Sequence, residues 1–184
     1  MSGSSYRFWS TTSRRVWPAS AARIASAAGG LRSSARAFTA RREVARFTHR
    51  VSAPPARVFP LLCPVRENEW IPGWSARPIY SASGVAENNG VFRAQLADHS
   101  EALFIVTRHD AQAGAVEYVV LRGGTHVEKL DLALTDNRDG TSTLAWTRTY
   151  TGLSEAGNAQ VQQQVAEGFL VRMQHMAELL ERHL

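Results

Sequence analysis

With 184 residues and a formal charge of +5, the chain is long enough for one ordinary domain with room for extra segments. The charge is unevenly placed: residues 1 to 42 hold eight arginines and no acid, so the remainder has thirteen basic against sixteen acidic residues and sits at −3. No basic surface is therefore expected on the folded part, which argues against nucleic acid as a partner, and no apolar run reaches the roughly 18 residues of a membrane-spanning helix.

Residues 1 to 42 contain nine serines and nine alanines beside those arginines, with aromatics too scattered to bury a core. An acid-free Arg-, Ser- and Ala-rich leader has the composition of an organelle transit peptide, and Arg14 to Leu31 can form a loose amphipathic helix. A disordered tail or an early start codon accounts for the same composition, and arginine outnumbers lysine throughout, with Lys129 the single lysine. Secretion ranks last, because Arg23 and Gly29-Gly30 interrupt any apolar stretch ahead of Ala35-Arg36-Ala37. The expectation is a disordered or transit-like leader over 1–42 and one domain over 43–184. Its location is then the cytoplasm, or a mitochondrion or other organelle if the leader is a transit peptide.

From Glu43 the pattern changes. Ala45, Phe47, His49 and Val51 share one face of an alternating run and Arg46, Thr48 and Arg50 the other, which predicts a half-buried strand over Val44 to Val51. After Ser52 to Pro55, the residues Val58, Phe59, Leu61 and Leu62 give a short apolar helix face over Arg57 to Leu62; Pro60 limits its regularity and Pro64 stops it. A charged turn at Arg66-Glu67 and two tryptophans, Trp70 and Trp74, around the Pro72-Gly73 corner follow. Cys63 is the only cysteine, so no intrachain disulfide can form, and in this setting it reads as a packed small hydrophobe.

Consecutive strands are predicted over Ala76 to Ala82, Val91 to Ala97, Ala102 to His109, Ala115 to Leu121, Thr125 to Thr135 and Ser142 to Thr151. The turn signals between them, Asn88-Asn89-Gly90, Ala113-Gly114, Gly123-Gly124 and Asp139-Gly140, leave no room for crossover helices, so the sheet is expected to be antiparallel. In the fifth of these runs His126, Glu128, Leu130, Leu132 and Leu134 share a face that is polar at one end and apolar at the other. Gly152 to Asn158 supplies a capping serine and an early acid, and Val161, Val165, Phe169, Met173, Met176, Ala177 and Leu180 then recur at three and four. That spacing predicts a long amphipathic helix over Ala159 to about His183. Helix on antiparallel sheet is an α+β layer.

Hydrolase, zinc and nucleotide motifs are all absent: there is no G-x-S-x-G, H-E-x-x-H, C-x-x-C, G-x-x-x-x-G-K or G-x-G-x-x-G. The six histidines, His49, His99, His109, His126, His175 and His183, do not pair at metal-ligand spacing, so no metal and no cofactor are expected.

The order Arg57-Val58-Phe59, Leu61-Leu62-Cys63-Pro64, Glu67, Glu69 to Trp74, Thr107 to Asp110 and Thr151 to Glu155 resembles the START-like superfamily, also called SRPBCC or Bet v 1-like. The resemblance covers residues 43 to 184. It implies a helix-grip fold, in which a curved antiparallel sheet wraps around a long C-terminal helix and two short helices after the first strand close one end. It also implies an internal cavity for an apolar or amphipathic molecule, with polyketide cyclases and lipid or quinone carriers among the superfamily's activities.

The cavity candidates for ligand binding are Trp70 and Trp74 at the Pro72-Gly73 corner and, from strand parity, Thr107, His109, Tyr118, His126, Trp146 and Tyr150. Trp146, Arg148 and Tyr150 share one face of the last strand, but parity leaves open which face points inward. The bland alternative makes Trp70, Trp74 and Tyr118 core aromatics. For chemistry the weak candidates are His126 with Glu128, or His109 with Glu101, as a proton-moving pair. The expected partner is a small apolar or amphipathic ligand and catalysis is not required; a protein-binding role for the charged face of the last helix is the third option. The sequence does not set the oligomeric state.

Overall fold

The computed structural model describes residues 37–96, 98–166 and 168–184. Most of the predicted leader, with its helix over Arg14 to Leu31, lies outside the described residues.

Seven strands form one open antiparallel sheet in the order β1-β7-β6-β5-β4-β3-β2. They are β1 (Arg42–Val51), β2 (Ser75–Tyr80), β3 (Val91–Gln95), β4 (Glu101–Asp110), β5 (Ala115–Arg122), β6 (His126–Asp136) and β7 (Ser142–Gly152). Each neighbour from β2 to β7 follows in sequence, as short turns dictate, and β1 closes the far side by pairing with β7. At the β5–β6 turn Gly123 and Gly124 both take positive φ, 52° and 70°, which only glycine adopts without strain.

Between β1 and β2 lies a cap: α1 (Pro55–Val58), then 3-10 turns at Phe59–Leu62 and Arg66–Glu69. Proline in the first turn suits α1, because an N–H there would have no helical partner. Cys63 leaves helical geometry ahead of Pro64, with φ −81° and ψ 132°. Its thiol is buried and accepts the Ala86 N–H at 3.1 Å.

One face of the sheet is the core side. Ala45 and Val51 on β1, Phe104 and Val106 on β4, Val116, Tyr118 and Val120 on β5, Leu130, Leu132 and Leu134 on β6, and Leu144, Trp146 and Tyr150 on β7 are all buried. This decides the question left open by parity: the even-numbered face of β7 points inward.

The predicted single helix is two. α2 (Glu155–Ala166) starts earlier than expected and α3 (Phe169–His183) is a separate helix that begins after Gly168. The apolar spacing from Val165 to Phe169 continues across the break, so periodicity alone conceals it, whereas a glycine inside a helix costs about 1 kcal/mol relative to alanine. Gly168 sits in the break, and Arg172 donates to the freed Gln164 carbonyl at 2.8 Å. α2 is pinned at its start by Gly157, where a Cβ would come within 1.9 Å of the Thr125 carbonyl oxygen. The far end of α3 is tied to the cap: Arg57 donates to the Leu184 carbonyl, and Glu181 accepts the Ser52 N–H at 2.8 Å.

Candidate functional site

Between the inner face of β4 to β7, the turn after Arg66–Glu69 and one side of α3 lies a partly open hollow of about 390 Å³. Ile71, Trp74, Phe104, Leu130, Trp146, Phe169, Met173 and Met176 give it apolar walls. Trp74 is fixed by its indole N–H, which donates to the Pro64 carbonyl at 2.8 Å, and by edge-on contact with Phe104 at 5.5 Å between centroids.

One part of the wall is polar. Glu67 on the second 3-10 turn, and Arg148 and Tyr150 on β7, all line the hollow. Arg148 donates to Glu128 on β6 at 2.5 Å, an ion pair in which the Glu128 side chain is 1% exposed and that of Arg148 18%. Register accounts for it: Glu128 stands opposite Tyr150, and Arg148 opposite Leu130, so acid and base meet on the diagonal of one face.

Burial governs the charges here. It pushes the Glu67 carboxyl up to about 8, with the nearby Arg148 opposing the shift, so this acid is mostly protonated at neutral pH. Burial works against the charge on Arg148 as well, but Glu128, Tyr150 and Glu67 outweigh it and hold the guanidinium above its ordinary range. The phenols of Tyr150 and Tyr118 are raised, chiefly by burial. Several interior polar atoms in this zone have no hydrogen-bond partner among the described residues: Glu128 Oε2, Arg148 Nε and Trp146 Nε1. Such groups are costly unless something else satisfies them.

The candidates from parity separate accordingly. Trp74, Trp146 and Tyr150 border the hollow. Trp70 packs in the core, its indole donating to the Leu61 carbonyl at 3.1 Å. Tyr118 is buried beside the cap, its hydroxyl donating to the Leu62 carbonyl at 2.9 Å, and it borders a separate apolar pocket of about 300 Å³ together with His109, Phe59 and Cys63.

Thr107 points outward and donates to Glu117 at 2.6 Å. The register between β4 and β5 shifts there, Val106 facing Tyr118 but Arg108 facing Glu117. One extra residue reverses parity, which is why Thr107 and His109 do not share a face as expected; His109 instead stacks on Phe59 at 5.1 Å.

His126 and Glu128 do share the inner face. His126 lies beyond the hollow, in a polar trough of about 710 Å³ with Gln160 and Gln163 of α2, and its Nδ1 is 3.1 Å from Thr125 Oγ1. Its pKa is lowered by burial and by Arg122. Glu101 borders the same trough at the opposite end of β4 from His109, so that pair is not brought together. The trough and the hollow share Asp98, Arg122 and Gln164.

A seven-stranded sheet closed over by a C-terminal helix, with short helices between the first two strands and a hollow under the last helix, decides the architecture. The fold is Bet v 1-like, the helix-grip fold. Solved structures agree. Ara h 8.0201 matches with a TM-score of 0.59 at 14% identity, covering 77% of this chain and 97% of that one. Norcoclaurine synthase from Thalictrum flavum, solved in complex with dopamine and hydroxybenzaldehyde, matches with a TM-score of 0.58 at 11% identity, covering 78% of this chain and 86% of that one. A START superfamily protein from Mycobacterium smegmatis matches at 0.58 and 10% identity, covering 75% and 94%. No family model and no curated protein matches the sequence.

At these identities the helix-grip likeness speaks for fold alone. Among the described residues no helix is long and apolar enough to cross a membrane, and no cluster of three or more His, Cys, Asp or Glu is placed to hold a metal.

The sequence reading missed Glu67, Arg148, Arg122 and Arg172 as lining groups. Parity had put Arg148 on one face with Trp146 and Tyr150, and that was the available signal. Glu67 offered none, since a charged turn ordinarily faces water.

Proposed function

We propose that the protein binds a small apolar or amphipathic molecule in the hollow between the sheet and α3. The observation that carries this is the hollow itself: about 390 Å³, walled by aromatic and aliphatic side chains, with a polar group of Glu67, Arg148 and Tyr150 on one side. Mostly apolar cavities of a few hundred Å³ with a few convergent polar groups are the usual form of small-molecule sites. That norcoclaurine synthase, of like fold, is solved with two small aromatic molecules supports the reading. A lipid or quinone carrier is one form of the same proposal. Native mass spectrometry of the purified protein, with solvent extraction of whatever it retains, tests it. A bound or accepted apolar molecule is the expected result; a protein that retains none and accepts none from a panel of lipids, quinones and aromatics contradicts it.

The cyclase- or dehydratase-like alternative attaches to Glu67 rather than to the histidine pairs. A carboxyl held protonated beside a guanidinium can donate a proton to a polyketide-like substrate and take it back. Turnover of a β-polyketone that is lost in Glu67→Gln while binding persists is the expected outcome on this reading; equal turnover in the variant removes it.

A further inference from the structure

We propose that the hollow is built for an apolar molecule ending in an anionic oxygen group, a carboxylate or its chemical equivalent, received by the guanidinium of Arg148 and the hydroxyl of Tyr150. This rests on the reading that the hollow is a ligand site and names the class of ligand it takes.

The first reason is the balance of donors and acceptors. Arg148 offers only N–H donors, and Glu128 occupies its Nη1. Its side chain keeps 18% of its surface although it lies in the interior on the inner face of β7, and it is among the groups lining the hollow. Tyr150 beside it presents an O–H, and Glu67 across from it presents a protonated carboxyl. A ligand reaching this corner meets donors, so the matching group is an acceptor.

The second reason is charge. Beside the hollow, the half-buried guanidinium groups of Arg122 and Arg148 stand against the buried carboxylate of Glu128, while Arg172 and Asp98 at its edge are exposed to solvent. With Glu67 protonated the interior carries about one unbalanced positive charge. An unbalanced charge away from water is strongly unfavourable. A monoanionic head would offset it and form charge-assisted hydrogen bonds, roughly twice as strong as neutral ones.

A competition experiment tests this with the full chain. The neutral dye N-phenyl-1-naphthylamine reports occupancy of the hollow, and decanoate and methyl decanoate compete for it below the concentration at which decanoate forms micelles. Decanoate is expected to displace the dye about tenfold more effectively than its ester, and Tyr150→Phe, which keeps the ring, is expected to lower that preference several-fold. Equal displacement by acid and ester, with the dye bound, overturns the proposed head-group class and leaves the ligand site standing. Failure of the dye and of both competitors to bind overturns both proposals together. A decanoate preference that Tyr150→Phe and Arg148→Gln both leave untouched places the anion elsewhere and also overturns this assignment.

Discussion

The cap and the inner wall of β6 and β7 are both buried and both contain polar groups, yet they treat them in opposite ways. In and beside the cap the buried polar aromatics are matched, Tyr118 of β5 to the Leu62 carbonyl and Trp70 to that of Leu61. On the inner wall, Trp146 Nε1, Arg148 Nε and Glu128 Oε2 have no partner among the described residues. Satisfied polar groups mark a region that is finished on its own, and unsatisfied ones mark a region that something else completes. The contrast locates the site more sharply than residue type does, since tryptophan and tyrosine occur on both sides of it.

Breaking the Glu128–Arg148 pair should have the largest effect. Arg148→Leu leaves a buried carboxylate uncompensated and is expected to cost about 3–5 kcal/mol in urea unfolding. Glu128→Leu with Arg148→Leu should recover much of this, because two buried charges are removed together. An equal loss in both variants would mean that the pair is a packing element and no different in kind from the cap.

Glu67 gives the next largest effect and depends on pH. Its pKa is raised from 4.5 in the unfolded chain to about 8 in the fold. The folded state therefore keeps a proton that the unfolded chain releases, and the stability that this gives is full below 4.5 and lost progressively as pH rises through 8. Glu67→Gln should be close to neutral at pH 4 and stabilising by about 2–4 kcal/mol at pH 8. A pH-independent difference would show that the carboxyl is not held protonated.

How much of this was legible in the sequence follows from the same contrast. Alternation is a local property, so β1 and β6 and their inner faces could be read directly, as could β7 as an alternating run whose inward face stayed open, and the turns at Gly123-Gly124 and Asp139-Gly140. Pairing irregularities are not local: the shift at Thr107 exists only against β5, and it reversed the face assigned there. The break at Gly168 had a visible glycine but was overruled by an unbroken apolar period. Trp74, Trp146 and Tyr150 could be named because they are bulky and share a face with the core. Glu67 and Arg148 could not be assigned to the hollow, because a buried charge is recognised only from what surrounds it.

In the cap the expected effects are smaller. Tyr118→Phe strands the Leu62 carbonyl and should cost about 1–2 kcal/mol without altering dye binding in the hollow. At the other wall, Trp146→Phe removes an N–H that has no partner, so its cost of about 1–3 kcal/mol comes from the lost ring volume and not from a broken hydrogen bond. Retention of the full wild-type stability by Tyr118→Phe would remove the distinction between the two regions.

The most direct measurement is titration of N-phenyl-1-naphthylamine into the wild-type protein and into Met173→Trp, whose larger ring fills the hollow from α3. Saturable binding at one site in the wild type, lost in the filled variant while its fold is retained, is the expected result. Equal binding by both folded proteins, or none by the wild type, would contradict the assignment of the hollow as the ligand site.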